Sequence, residues 1–244
     1  YQQSMVLAGV DFNTGPSDQP TGTCIVLVTP DGERTMQTYL GASATLSATD
    51  VNKDQIANSK ILYVEGYLWS SPSGTKAAES AIECARSNNV QVALSLSDPF
   101  IVKTHLSALQ TIIPELVDIV FCNEHEASEY TGHADPADSL RYVSRQCERI
   151  FLTMGERGSL TNQESDICEI PAYPTTPVDT TGAGDMYAGG VLYGLTHGFT
   201  AQESALLGSY AAAKVVAVYG PRLDENLEKH VSAILPDRSN ERNK

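Results

Sequence analysis

A glycine-rich stretch late in the chain combines a tight turn with a carboxylate. The residues Asp179-Thr180-Thr181-Gly182-Ala183-Gly184-Asp185 directly precede the amphipathic, small-residue segment 186–192. A glycine-rich turn that enters a helix leaves several backbone N–H groups unpaired at the positive end of the helix dipole. Such a turn binds anions, and its glycines let a phosphate approach the backbone closely. The pattern therefore predicts an anion site with the Asp185 carboxylate beside it, in the first helical turn.

Two other interpretations of this stretch remain open on the residues alone. Small residues at a helix entry can serve packing and nothing else. Gly182, Gly184 and Ala188 also approximate, with relaxed spacing, the fingerprint of dinucleotide-binding turns, which would make the protein an NAD-dependent oxidoreductase. That fingerprint follows a buried strand, whereas 172–178 reads AYPTTPV and its prolines are poor strand material, so the dinucleotide interpretation is disfavoured.

The elements that must position this turn are indicated by the middle of the chain. Short apolar segments of buried-strand type alternate there with helical segments at 73–88 and 100–113, which is typical of βαβ units and a mostly parallel sheet. The strand segments are 60–65 (KILYVE), 90–96 (VQVALSL), 117–121 (VDIVF) and 149–154 (RIFLTM). Ligands of such sheets bind at the carboxyl ends of the strands. Polar or glycine residues follow each segment there, namely Glu65-Gly66, Asp98-Pro99, Asn123 and Thr153-Met154-Gly155.

The two ends of the chain have sequence patterns that differ from the strand–helix alternation of the middle. Two β-rich segments, 21–28 and 33–40, flank the turn signal Thr29-Pro30-Asp31-Gly32 and predict a hairpin at a sheet edge or in a flap. Three helical segments are predicted near the other end, at 182–197, 201–218 and 224–235. The polar residues from 236 onward predict a frayed tail.

Composition excludes several classes of protein. The 244 residues are 41% hydrophobic and 19% charged, which is enough apolar material for a core. A formal net charge of −14 disfavours nucleic acid as a partner, and no apolar run approaches the roughly 20 residues that a membrane span needs. The five cysteines are widely spaced without a C-x-x-C pair, so we expect no disulfide framework or zinc site and a cytoplasmic location.

Residues 179–185 match D-T-x-G-A-G-D completely, and this motif resembles the second signature of the ribokinase/PfkB family of carbohydrate and nucleoside kinases. The resemblance extends over almost the whole chain. It implies an α/β fold, a ribokinase-like three-layer α/β/α sandwich with a mostly parallel sheet. It further implies one kinase domain over 1–240, a small β lid that includes 21–42, and a tail at 241–244. The family's N-terminal strand and Gly-Gly signature would lie before Tyr1.

The resemblance also implies an activity and assigns roles to residues. The activity is ATP-dependent phosphoryl transfer to a primary hydroxyl of a sugar or nucleoside. Asp185 would be the catalytic base, and the backbone of Gly182, Ala183 and Gly184 would form the anion hole. Asn123 and Glu126 match N-x-x-E, which the family uses to hold Mg²⁺ and its waters. The same two residues also have the spacing of a helix capping box, and the two roles are compatible.

Further matches concern the nucleotide and a second cation. Thr153, Gly155 and Gly158 resemble the family's T-x-G-x-x-G near the nucleotide phosphates, where Asn123 also lies. Gly220 belongs to a segment that resembles the loop cradling adenine. Asp179 and Thr181, with carbonyls of that loop, would lie near a possible K⁺ ion.

The acceptor side is less defined by the sequence. Arg34 could reach a transferring phosphate or could be a solvated hairpin charge, and Tyr67 and Trp69 could line a pocket or belong to the core. The hairpin and the segment EGYLW are more similar to adenosine-kinase-like members than to ribokinase. A small-molecule sugar or nucleoside is the expected partner, without nucleic acid or membrane, and the protein is expected to be a monomer or a lid-mediated homodimer. A non-catalytic binding protein of kinase ancestry remains an alternative.

Overall fold

A computed structural model describes residues 2–12, 15, 17–28, 34–163 and 166–235 of the chain. The predicted turn at 29–32 and the predicted tail from 236 lie outside these residues. Within them, six strands form one sheet in which the spatial order equals the chain order. The strands are β3 (Ile61–Glu65), β4 (Gln91–Ser95), β5 (Ile119–Asn123), β6 (Arg149–Thr153), β7 (Ser159–Gln163) and β8 (Asp166–Ile170).

Strands β3 to β6 are parallel, and β7 and β8 continue the sheet as an antiparallel hairpin. The four parallel strands agree with the predicted segments within two residues. The sequence did not predict β7 and β8. The segment Ser159–Gln163 is largely buried although most of its residues are polar. It therefore lacks the apolar pattern from which a buried strand is predicted.

Helices cover both faces of the sheet. One face packs against α3 (Pro72–Ser87), α4 (Pro99–Thr104), α5 (Leu106–Leu116), α6 (Glu124–Thr131) and α7 (Pro136–Val143), and the other against α8 (Ala183–Thr196) and α9 (Ala201–Val216). Alternate residues of the strands belong to two separate cores. Val120 and Leu152 face the layer of α3 to α7, whereas Phe121 and Phe151 face α8 and α9. The three-layer α/β/α fold is therefore confirmed.

Two predicted helices differ from the observed ones. The segment 100–113 belongs to two helices, because His105 between α4 and α5 departs from helical dihedral angles. The helix predicted over 224–235 is wrong in extent. Only a 3₁₀ turn, Leu227–His230, and the single-turn helix α10 (Val231–Ile234) form there. So short an amphipathic segment does not nucleate a long helix without a larger packing surface.

Outside the main sheet, β1 (Thr21–Val28) and β2 (Arg34–Gly41) pair antiparallel as the predicted hairpin. It forms a separate two-stranded sheet, and its role as a flap or lid stays a prediction. Apolar side chains of both strands, including Ile25, Leu27 and Met36, are exposed. Short helices α1 (Gln2–Leu7) and α2 (Lys53–Ala57) flank this part of the chain.

Helices α8 and α9 meet backbone to backbone. A Cβ atom added at Gly190 would lie 2.8 Å from the Gly208 Cα, and one added at Gly208 would lie 2.8 Å from the Tyr187 carbonyl oxygen. Glycine is required at both positions because no side chain fits between the helices. Among the described residues, no helix is both long enough and apolar enough to cross a bilayer.

Candidate active site

A cleft of about 640 Å³ opens between the loop after β6, the segment 172–177 and the amino end of α8. Five of the predicted site residues line it: Thr153, Gly155, Gly158, Ala183 and Gly184. Asn123 and Gly220, which were predicted to bind ATP, are not among its lining residues. The cleft lies at the carboxyl ends of the parallel strands, where ligands of such sheets bind.

The amino end of α8 presents free backbone donors. Gly182 caps the helix with a φ of +80° and without a side-chain hydrogen bond to the first turn. The first regular bond runs from the Met186 N–H to the Gly182 carbonyl at 2.9 Å, and the Ala183 N–H donates to the Thr180 carbonyl at 3.3 Å. Within the described part of the chain, the N–H groups of Gly184 and Asp185 have no acceptor. The predicted anion hole thus has free N–H donors at these two residues, whereas the N–H group of Ala183 already donates to Thr180.

The turn before α8 does not continue from a strand. Strand β8 ends at Ile170, and 171–178 has no regular secondary structure. The strand that a dinucleotide fingerprint requires is therefore missing at this described position, which removes the basis for the oxidoreductase interpretation.

Asp179 holds the turn in place from its other side. Its Oδ1 accepts the Thr181 N–H at 2.9 Å, and its Oδ2 accepts the Gly220 N–H at 3.0 Å. Pro221, next to Gly220, packs so tightly on Gly182 that an added Cβ there would lie 2.6 Å from the proline Cβ. Gly220 therefore stabilises the turn at 179–182 that precedes α8, which is called the signature turn below. The K⁺ site predicted at Asp179 and Thr181 stays a prediction.

Four carboxylates gather at the carboxyl edge of the sheet. They are Glu65 at the end of β3, Asp98 after β4, Glu126 in the first turn of α6 and Asp185, and all four raise the pKa of Tyr67, together with its burial. Burial and the charge of Asp185 raise the pKa of Glu65. The same region therefore holds an excess of negative charge that favours a cation.

Asn123 and Glu126 form the predicted capping box. The Asn123 Oδ1 accepts the Glu126 N–H at 2.9 Å, while the Glu126 carboxylate accepts the Asn123 N–H at 2.9 Å and its Nδ2 at 2.6 Å. Glu126 is 6% exposed, and burial raises its pKa from 4.5 to about 7, with a further increase from Asp98 and a partial reduction by the Asn123 N–H. The helix-cap interpretation is confirmed.

The donor set of this edge suits a hydrated cation. Among the described side chains, no three His, Cys, Asp or Glu residues converge closely enough to hold a metal directly. Mg²⁺ usually keeps several waters and takes one or two carboxylates. The carboxylate of Glu126, with two hydrogen bonds already made, retains lone pairs for such waters, so the residues fit Mg²⁺ held largely through water.

The loop after β6 needs glycine at two positions. Gly155 and Gly158 have φ values of +59° and +88°, and a Cβ at Gly158 would lie 2.1 Å from the Ile170 carbonyl oxygen. The Met154 N–H donates to the Gly158 carbonyl at 2.8 Å and closes the turn. An ion pair between Arg157 and Glu124 fastens the loop to the start of α6.

One wall of the cleft was missed by sequence reasoning. The Ser209 hydroxyl on α9 accepts the Tyr173 N–H at 3.0 Å and donates to the Pro171 carbonyl at 2.9 Å, and Thr175 Oγ1 donates to the Ala213 carbonyl at 3.1 Å. The proline-rich segment is thereby attached along α9 as a largely apolar surface. The prolines of this segment rule out a helix or a central strand, but nothing in the sequence indicated which helix the segment would contact.

Three remaining predictions concern the acceptor side. Trp69 is buried in the core, which confirms the core interpretation for this residue. Tyr67 is 53% exposed at the carboxyl edge of the sheet. The backbone of Arg34 pairs with Val28 at the start of β2, but its side chain lies outside the described part of the structure, so its contact with phosphate stays a prediction.

Comparison with known proteins defines the class to which this fold and site belong. Residues 2–228 match the model of the pfkB family of carbohydrate kinases, and the chain belongs to that family. The uncharacterized sugar kinase YegV of Escherichia coli is 30% identical over 224 residues, which are 86% of this chain and 66% of that protein. The chain thus spans about two thirds of this curated relative.

Two solved structures are similar over nearly the whole chain. The adenosine kinase of Sinorhizobium meliloti has a TM-score of 0.90 and 36% identity, and a probable sugar kinase of Rhizobium etli has a TM-score of 0.90 and 34% identity. Each comparison covers 95% of this chain and 72% of the other. The ribokinase-like fold is thereby established.

Proposed function

We propose that the protein transfers the γ-phosphoryl group of ATP to a primary hydroxyl of a sugar or nucleoside. The observation that carries this proposal is the amino end of α8, where Asp185 belongs to the first helical turn and the N–H groups of Gly184 and Asp185 are free. Phosphoryl transfer needs alignment and charge stabilisation more than covalent help from the protein, and these groups supply both.

Asp185 acts as the base in this mechanism. It accepts the proton of the acceptor hydroxyl as that oxygen attacks the γ-phosphorus, while the bond from the γ-phosphorus to the bridging oxygen breaks and ADP leaves with that oxygen. The free N–H groups of Gly184 and Asp185 stabilise the charge on the transferred group, and Gly182 and Ala183 form the turn that presents them. Preorganised donors of this kind are effective because they need no reorientation during the reaction.

Asn123 and Glu126 would hold Mg²⁺ through water. When bound, Mg²⁺ neutralises charge on the β and γ oxygens. The capping box fixes both side chains before any ligand arrives, so little conformational freedom is lost on binding. Asp179 and Thr181 remain the proposed neighbours of K⁺.

The cleft is proposed to take the nucleotide. Thr153, Gly155 and Gly158 would border the phosphates, and the apolar wall of 172–177 with α9 would receive the base. Asn123 would contact the phosphates although it does not line the cleft. Gly220 supports the site indirectly, through its bond to Asp179.

The acceptor is proposed to bind at the carboxyl edge of the sheet, under the hairpin of β1 and β2, where Arg34 could contact the transferring phosphate. Glu65 and Asp98 offer carboxylates that can accept hydrogen bonds from hydroxyl groups. Adenosine is our finer proposal, supported by the identity to the Sinorhizobium meliloti enzyme, although a sugar kinase is almost equally similar. The exposed apolar hairpin allows either a monomer or a lid-mediated homodimer.

The test incubates the protein with MgATP and, separately, ribose, fructose, adenosine and inosine, and follows formation of ADP. Turnover with at least one acceptor is expected, and adenosine should be the fastest. Nucleotide binding without turnover of any acceptor would contradict the proposal and favour a non-catalytic relative. Light scattering of the same sample measures the oligomeric state.

A further inference from the structure

Two hydroxyl groups meet at the floor of the cleft. The Tyr187 hydroxyl on α8 donates a hydrogen bond of 2.8 Å to the Ser159 Oγ at the start of β7. Ser159 is 2% exposed and Tyr187 is 4% exposed, yet both line the cleft. This contact joins the helix that carries Asp185 to the strand that follows the loop of Gly155 and Gly158.

The direction of this hydrogen bond leaves one proton unused. The phenol donates, so the Ser159 oxygen accepts, and a serine hydroxyl also has one proton to donate. Among the described residues, Ser159 Oγ forms no hydrogen bond other than the one from Tyr187. Burial raises the pKa of Tyr187, so the phenol stays protonated and continues to donate.

We propose that Ser159 binds the nucleotide by donating its hydroxyl proton to a ribose or phosphate oxygen, and that Tyr187 is a positioning residue that orients it. A buried donor without a partner is costly, and a ligand oxygen in the cleft would provide the missing partner. This inference rests on the proposed function, because it concerns the same nucleotide cleft.

Thr161 provides a matched control on the same strand. It lies two residues after Ser159, so its side chain points to the same face of the sheet. It is fully buried and its hydroxyl has no protein partner in the described structure, but it does not line the cleft. Loss of its hydroxyl therefore removes a buried polar group without altering a ligand contact.

The experiment measures the affinity for ADP and for inorganic tripolyphosphate, which has neither a ribose nor an acceptor hydroxyl, by titration calorimetry in wild type, Ser159→Ala and Thr161→Val. A hydrogen bond of ordinary strength corresponds to a change of about three- to tenfold in affinity. We expect Ser159→Ala to lose that much and Thr161→Val to bind as wild type does. A loss with both ligands assigns the contact to phosphate, and a loss with ADP alone assigns it to the ribose.

Tyr187→Phe and the double variant separate positioning from folding. Ser159→Ala leaves the phenol buried without an acceptor and lowers the melting temperature, whereas Ser159→Ala with Tyr187→Phe removes both partners and recovers part of that loss. Nucleotide affinity should stay low in the double variant. In Tyr187→Phe alone the affinity loss should be smaller, because Ser159 can still donate.

Equal affinities of wild type and Ser159→Ala would overturn the inference and leave the proposed function intact. Recovery of affinity together with stability in the double variant would also overturn it, since the effect would then be structural. A wild-type protein that does not bind ADP would instead overturn the proposed function, and the inference with it.

Discussion

Asp179 and Gly220 are 41 residues apart in the chain and are joined by a hydrogen bond of 3.0 Å from the Gly220 N–H to Asp179 Oδ2. The other carboxylate oxygen accepts the Thr181 N–H. One side chain thus fixes both the turn that precedes α8 and the segment that follows α9. The arrangement places Pro221 against Gly182 and sets the position at which α8 begins.

Asp179→Asn should therefore loosen the signature turn. An amide has one oxygen in place of two, so one of the two N–H groups loses its acceptor, at a cost of about 1–3 kcal/mol in the free energy of unfolding. We expect a lower melting temperature and weaker binding of ADP, measured by thermal unfolding and calorimetry. Asp224→Asn, at an exposed position in the same segment, is the control. Indistinguishable results for the two variants would contradict this role of Asp179.

Asp185→Asn should separate chemistry from binding. The amide cannot accept the proton of the acceptor hydroxyl, and general-base catalysis typically contributes about 10²–10⁴-fold to the rate. We expect kcat to fall by that factor while the affinity for ADP remains close to that of wild type, because the backbone donors are retained. Full activity of the variant in a steady-state assay would exclude Asp185 as the base.

The buried carboxylate of Glu126 predicts a pH dependence of stability. Its pKa in the folded protein is about 7, above the ordinary 4.5, so between these values the folded state holds a proton that the unfolded state has lost. Its contribution to stability is complete below pH 4.5 and is lost as the pH rises through about 7. The size is on the order of 3–4 kcal/mol, since one pKa unit corresponds to about 1.4 kcal/mol.

Glu126→Gln should remove this dependence. Denaturant unfolding at several values between pH 5 and pH 8 would show a flatter profile than that of wild type. Glu129→Gln, which changes an exposed carboxylate on the same helix, should keep the wild-type slope. An unchanged slope in Glu126→Gln would assign the pH dependence to other groups.

Two adjacent glycines of α8 should respond in opposite directions to alanine. Gly190→Ala forces a Cβ against the Gly208 backbone, and overpacking of this kind costs about 1–3 kcal/mol. Gly189 is exposed with open space around it, so Gly189→Ala should stabilise the helix by about 0.5–1 kcal/mol. Thermal unfolding compares the two variants, and equal effects would show that α8 and α9 are not in close contact.

Sequence patterns predicted the parts of this fold in which apolar composition and burial agree. The parallel strands β3 to β6 are continuous apolar segments, and the anion turn is marked by its glycines. Strand β7 escaped detection because Ser159, Thr161 and Asn162 are polar and buried. The cleft wall was not predicted because it depends on contacts of Ser209 with residues 36 and 38 positions away, which no local pattern encodes.

The glycine contact between α8 and α9 has a mechanical consequence. Two helices whose backbones touch cannot slide or tilt separately without collision, so we expect the base Asp185 and the surface proposed to hold the nucleotide to travel as one rigid block. We therefore propose that any movement that shields the reacting groups from water comes from the hairpin of β1 and β2. Closure during catalysis would then be a movement of this hairpin relative to the rigid pair of helices α8 and α9.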